Sequence, residues 1–244
     1  MLIYKEAMKN KTVLICTLLF VNVLFSQQKN IAVEYAVKID DEKELFNNNP
    51  SLRKMFDDAR MGVNSLLFNL IINKSGSKFY ENAILSSDER NSKSATIFAG
   101  YSGVTFQFEN SIFQEMNYLE KDILVKEPLR DNWELHLETK LIDNYLCYKA
   151  TNVNKVDNGK GKIFNHPVIA WYCPELPYSF GPNGYGNLPG LILELQVRNV
   201  VYGAKKVDLD SKFDFDSSFL NKIKTISLED YNKKLQKDAE NFKD

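Results

Sequence analysis

Hydrophobic alternation with a period of two runs through most of this chain, and it restricts the fold more than any other feature. At residues 31–39, Ile31, Val33, Tyr35, Val37 and Ile39 share one face, with Glu34 and Lys38 on the other. That spacing is the pattern of a half-buried strand. Residues 66–73 and 78–84 flank Lys74-Ser75-Gly76-Ser77, a hairpin signal. Val104, Phe106 and Phe108 alternate with polar neighbours, and residues 112–118 and 123–127 continue the pattern. Two helices interrupt it. Asn49 before Pro50 forms an N-cap with proline at the first helical position, which predicts a helix from Pro50 to about Met61. Ser227 with Asp230 forms a weak capping box ahead of a charged C-terminal helix, whose narrow apolar stripe is Leu228, Tyr231, Leu235 and Phe242. The fold class expected is mainly β (α+β): a single antiparallel, strongly curved sheet with two helices. A helix on the concave side of such a sheet is akin to the half-barrel of periplasmic lipoprotein carriers, an analogy at the level of fold alone.

The stretch from Trp133 to Cys173 predicts its own register. Asp143-Asn144 is a two-residue turn, so Ile142 faces Tyr145. Leu141 then faces Leu146, Thr139 faces Tyr148 and Leu137 faces Ala150 on an apolar side. Glu138 opposes Lys149 and His136 opposes Thr151 on the other. A third strand, 168–173, returns through a loop at 152–165. If that turn is symmetric about Lys160, Cys147 faces Cys173 at a separation a disulfide tolerates. The alternative is two buried, reduced thiols. A slip of one residue would put the sulfurs on opposite faces.

Residues 170–195 read AWYCPELPYSFGPNGYGNLPGLILEL. Pro174, Pro177, Pro182 and Pro189 stiffen the backbone, and Gly181, Gly184, Gly186 and Gly190 allow bends. Trp171, Tyr172, Tyr178, Phe180 and Tyr185 load this segment with aromatic surface. It either packs tightly across the sheet or forms a binding rim. The segment resembles the GLPGLI family of exported bacterial envelope proteins. Asn187-Leu188-Pro189-Gly190-Leu191-Ile192 is the motif that gives the family its name, with Asn187 in place of the first glycine; asparagine tolerates positive φ best among the other residues. Ala170-Trp171-Tyr172 and Gly181-Pro182 match the upstream motif, and residues 146–151 resemble the family's cysteine-containing strand. Cys173 stands where the family usually has another residue, so the resemblance implies no disulfide. It implies no catalytic residues either, because the family has no established activity.

The N-terminus has the layout of a secretory signal peptide: basic Lys5, Lys9 and Lys11, the apolar run 12–25, then polar residues from Ser26. The run is shorter than the roughly 20 residues that cross a bilayer. Cleavage is expected after Ser26, giving a signal peptide 1–26 and one globular domain 27–244, with Met1 or Met8 as the start. Cys16 reads as an ordinary residue of the apolar run. The net charge is −1 with no basic run, which argues against nucleic acid. No second long apolar stretch predicts a transmembrane segment after cleavage.

Catalytic and metal signatures are weak. His136 and His166 have no nucleophile elbow to serve. A zinc site from both histidines with Cys147 and Cys173 lacks ligand spacing. Asp208, Asp210, Asp214 and Asp216 share one parity but lack the glycine and terminal glutamate of a calcium loop. No cofactor or metal is expected. The expected function is a non-enzymatic exported protein of the periplasm or outer membrane that binds an apolar or lipid ligand. The alternative is an accessory interaction protein of an outer-membrane complex, with a hydrolase third.

Overall fold

A computed structural model describes residues 29–82, 89–116, 123–157 and 161–241. The apolar run 12–25, Cys16, the cleavage point after Ser26 and both candidate starts lie outside those residues. So do residues 83–84 and 117–118 of the predicted strands, the Lys160 turn centre, and Phe242.

The strands are β1 (Asn30–Ile39), β2 (Leu67–Asn73), β3 (Gly76–Asn82), β4 (Thr105–Phe108), β5 (Ser111–Glu115), β6 (Ile123–Pro128), β7 (Glu134–Ile142), β8 (Tyr145–Asp157), β9 (Ile163–Cys173), β10 (Leu191–Val197), β11 (Val200–Ser211) and β12 (Lys224–Ser227). The helices among the described residues are α1 (Pro50–Gly62), α2 (Glu89–Phe98) and α3 (Leu228–Asn241). All strands join one sheet in the order β12-β6-β5-β4-β3-β2-β1-β11-β10-β9-β8-β7. Two meanders, β1–β6 and β7–β11, therefore meet where β11 pairs antiparallel with β1.

The sheet is open, with β12 and β7 at its edges, and it must curl. β6 and β7 are ten strand positions apart, which is about 48 Å in a flat sheet. The chain between Pro128 and Glu134 reaches at most about 21 Å. Only a rolled sheet brings those strands within reach of each other.

Two parts of the expected architecture are corrected. The sheet is mixed, because β12 runs parallel to β6. The described residues hold three helices where two were expected, because α2 was not foreseen. Its described apolar contacts to the core come from Ala95 and Phe98, too little for a helical periodicity to show. The predicted helix starts hold. The Asn49 side chain accepts from the Leu52 amide at 3.1 Å, and Ser227 Oγ accepts from the Asp230 amide at 3.0 Å.

Facing pairs trace one face of the sheet from strand to strand. Phe79 faces Leu70, Leu70 faces Val33, Val37 faces Tyr202 and Tyr202 faces Leu195. Leu195 faces Ala170, and Ala170 faces Ala150. Over β1–β3 and β11 this face is covered. Phe68 stacks on Phe79 at 5.4 Å and meets Tyr101 and Tyr202 edge-on at 5.0 and 5.4 Å. Above them Phe56 of α1 meets Phe98 of α2 at 5.4 Å. Rings in these geometries fill space and add attraction beyond their buried area. The opposite face carries a smaller cluster, Phe106, Phe113 and Leu124, capped by Leu220 and Phe219 of the C-terminal segment.

Residues 152–157 and 163–165 are strand, not loop. β8 and β9 pair continuously from Tyr148↔Tyr172 to Asp157↔Ile163. This is the register that symmetry about Lys160 predicts, carried on a much longer hairpin. On β7 the predicted pairs Ile142↔Tyr145, Leu141↔Leu146 and Thr139↔Tyr148 form, but a bulge then sets Leu135, not Leu137, opposite Ala150. The side chains bridge the bulge: His136 Nε2 lies 2.7 Å from Thr151 Oγ1, and Lys149 Nζ donates to Glu138 at 2.9 Å.

Candidate functional site

Between β9 and β10 the chain leaves the sheet at Pro174 and returns at Leu191. It does not wave free as a rim. Leu176, Tyr185 and Leu188 are buried. A short internal ladder holds it: Phe180 bridges Gly186, the Asn187 amide donates to Ser179 O at 2.9 Å, and the Ile192 amide donates to Phe180 O at 3.0 Å. The Leu191 amide donates to Leu176 O at 2.9 Å. Packing is thus the outcome of the two readings of this segment.

The segment acts as a clasp across the roll. An added Cβ at Gly184 would lie 3.0 Å from Thr105 of β4 and 2.9 Å from Ile112 of β5. On the far side, Tyr35 of β1 donates its hydroxyl to Ile192 O at 2.6 Å. The linker between β6 and β7 grips it as well. Arg130 donates to Asn183 O at 2.8 Å and lies 4.3 Å over the Tyr185 ring. Trp133 Nε1 donates to Gly186 O at 2.9 Å. In the sequence Trp133 marks only the start of the best-defined stretch and Arg130 is unmarked, because nothing local signals a residue that will meet a loop far along the chain.

The motif residues divide by task. Leu188, Leu191 and Ile192 are buried apolar anchors. Asn187 adopts φ 60°, the left-handed conformation for which asparagine is suited. Gly190, at φ 156°, lets the chain cross the Cys173 carbonyl, which an added Cβ would approach to 2.2 Å. Pro189 is exposed at the turn, and Pro182 and Gly181 are packed beneath the ladder. Trp171 lies on the other face under Lys140, whose Nζ sits 4.7 Å from the ring and donates to Glu194 at 2.6 Å.

At the β7 edge the sheet leaves apolar side chains uncovered. Leu135, Leu137 and Leu141 of β7 are 54%, 96% and 70% exposed. Leu146, Tyr148, Tyr172, Pro174 and Glu175 line an adjoining open cleft of about 270 Å³. Among the described residues β7 pairs only with β8, leaving its outer backbone edge without a neighbouring strand there.

Cys147 and Cys173 are both buried free thiols. They occupy the next facing positions after Tyr148↔Tyr172. Burial, and then the neighbouring Cys173, push the Cys147 thiol up to about 12. The histidines lie elsewhere. His136 engages Thr151, roughly 13 Å along β8 from Cys147. His166 faces Asn154 and stacks on Phe164. The four residues of the notional zinc set are therefore not brought together. Asp210 pairs with Lys29 at 2.8 Å. Asp214 accepts from Asn73 at 2.7 Å, and Asp216 accepts from the Ser218 amide at 2.8 Å. Those hydrogen bonds hold both carboxyls below the usual range. The aspartates order turns and do not converge. Among the described residues no helix is long and apolar enough to cross a membrane.

The rolled mixed sheet and its clasp define a mainly β protein. A family described as "Protein of unknown function (Porph_ging)" matches residues 160–194, the second arm of the long hairpin and the whole clasp. No curated protein matches the chain. Two solved structures are similar. The structure of PNGF-II in the P21 space group has a TM-score of 0.49 and 17% identity, covering 84% of this chain and 32% of that one. The structure of PNGF-II in the C2 space group has a TM-score of 0.47 and 17% identity, covering 82% and 31%. This chain spans about a third of the solved chains it matches.

Proposed function

We propose that this is an exported bacterial envelope protein of the GLPGLI type, cleaved after Ser26 to one domain of residues 27–244, which works as a non-catalytic interaction protein. The family reading is supported by residues 187–192 and by the match that ends just beyond them. The functional reading is carried by one observation: the edge strand β7 exposes Leu135, Leu137 and Leu141, with Leu137 96% exposed. An exposed apolar area beside an unpaired strand edge suits an extended apolar segment of a partner protein, which can add backbone hydrogen bonds along β7.

The carrier reading has less to support it. Phe56, Phe98, Phe68 and Tyr202 occupy the space under the helices. The cleft at Tyr148 and Tyr172, about 270 Å³, lies below the roughly 300–1,000 Å³ of most ligand pockets.

A photocrosslinking residue at Leu141, in the protein in its own envelope, tests the proposal. The expected result is a discrete protein adduct that Leu137→Asp weakens and a probe at Lys212 does not give. Adducts with lipid alone, or equal adducts from both positions, would contradict it.

A further inference from the structure

We propose that Cys147 and Cys173 form a cross-strand disulfide that is made while the β8–β9 hairpin is still open and is then sealed in by closure of the clasp. The ladder runs without a slip to Tyr148↔Tyr172, so the next residues on each strand oppose each other and point to one side. Facing residues have Cα atoms about 4.5–5.5 Å apart, inside the range a disulfide spans. Cys173 is close enough to act on the Cys147 thiol.

The sealing follows from their burial in the folded chain. Both cysteines are fully buried. The clasp holds the Cys173 backbone in that position: Gly190 crosses its carbonyl, Leu191 pairs with it, and the Leu176 amide donates to Cys173 O at 3.2 Å. A partner's sulfur therefore has no approach once the chain has folded and the clasp is in place. The folded thiol is also a poor nucleophile. At pH 8 the thiolate share falls from roughly one in four at an ordinary thiol's pKa to about one in 10⁴ at pKa 12.

The oxidant is a reactive disulfide of an exchange protein or of glutathione, and only this choice rests on the export reading. One cysteine thiolate attacks a sulfur of that disulfide and releases its first thiolate. The second cysteine thiolate then attacks the mixed disulfide and releases the other. The exchange partner gains two electrons as two thiols, and the two cysteine protons end on them.

The test compares purified, reduced chain in two states, each given oxidised glutathione at pH 8, with linkage read by peptide mapping so that Cys16 is distinguished. Refolding chain is expected to gain the 147–173 linkage. Chain already folded is expected to gain it at least roughly tenfold more slowly, because both side chains are buried. Equal rates would overturn the sealing, and no 147–173 linkage on refolding would overturn the disulfide itself. Linkage formed on refolding but missing from protein isolated under alkylation from its own cell would overturn the export reading and leave the disulfide standing.

Discussion

Gly190→Ala is the most direct perturbation of the clasp, and its size can be worked from the contacts. The added methyl would sit 2.2 Å from the Cys173 carbonyl oxygen, 2.5 Å from its carbon and 2.8 Å from Pro174 N. All three atoms are backbone in a paired strand, so no flexible side chain can yield. Reaching ordinary contact requires the two chains to part by more than 1 Å, roughly, which breaks hydrogen bonds of the kind at Leu191–Leu176 and Ile192–Phe180. Each such bond contributes about 1 kcal/mol net. Loosened packing at Leu188 or Leu191, buried at 2% and 0%, adds about 1.5–3 kcal/mol. The expected loss is about 3–5 kcal/mol, among the larger values for a single substitution. Urea unfolding reads it, with Gly203→Ala as the control, since a Cβ there meets nothing within 4 Å. A Gly190→Ala midpoint within about 1 kcal/mol of that control would refute the clasp as a stabilising element.

Other outcomes follow from the same geometry. Asn187→Gly should leave stability within about 0.5 kcal/mol, whereas Asn187→Ala at φ 60° should cost about 1 kcal/mol, measured by the same unfolding curves. Trp133→Phe keeps a ring beside Tyr185 but orphans the Gly186 carbonyl, and thermal unfolding should show a loss of about 1–2 kcal/mol. Burial pushes the Tyr101 phenol up to about 12, and Tyr35 and Tyr202 further still. In the unfolded chain these phenols ionise near 10, so the folded state retains protons that the unfolded state loses. Stability should be unaffected by them below about pH 10 and fall as pH rises from there to about 12. The phenolate absorbance that belongs to Tyr35, Tyr101 and Tyr202, read as the difference from their Phe variants, should rise together with unfolding, and a rise of that difference well before unfolding would contradict the burial.

What the sequence made legible was local. Turn residues set hairpin registers: Asp143-Asn144 placed Leu141 against Leu146, and symmetry about Lys160 placed Tyr148 against Tyr172. Caps placed two helix starts. The misses are non-local or weakly patterned. Residues 152–165 looked like loop because they are polar, yet the long hairpin they form extends into solvent, where Val153 and Ile163 stay exposed and no alternation is demanded. The β7 bulge is invisible to a register counted from the turn. The parallel β12–β6 pair joins segments nearly a hundred residues apart, with no local signal. At the clasp, motif composition marked the segment, but its grip by Arg130 and Tyr35 arises only when the sheet rolls.

On the proposed function, the exposed leucines of β7 meet a protein and the adjoining cleft houses no lipid. Native mass spectrometry with lipid extraction, on protein purified from its own envelope, tests it most directly. No stoichiometric acyl lipid is expected on the chain, whether it is bare or partner-bound. A stoichiometric acyl adduct displaced by Tyr148→Asp at the cleft would contradict it.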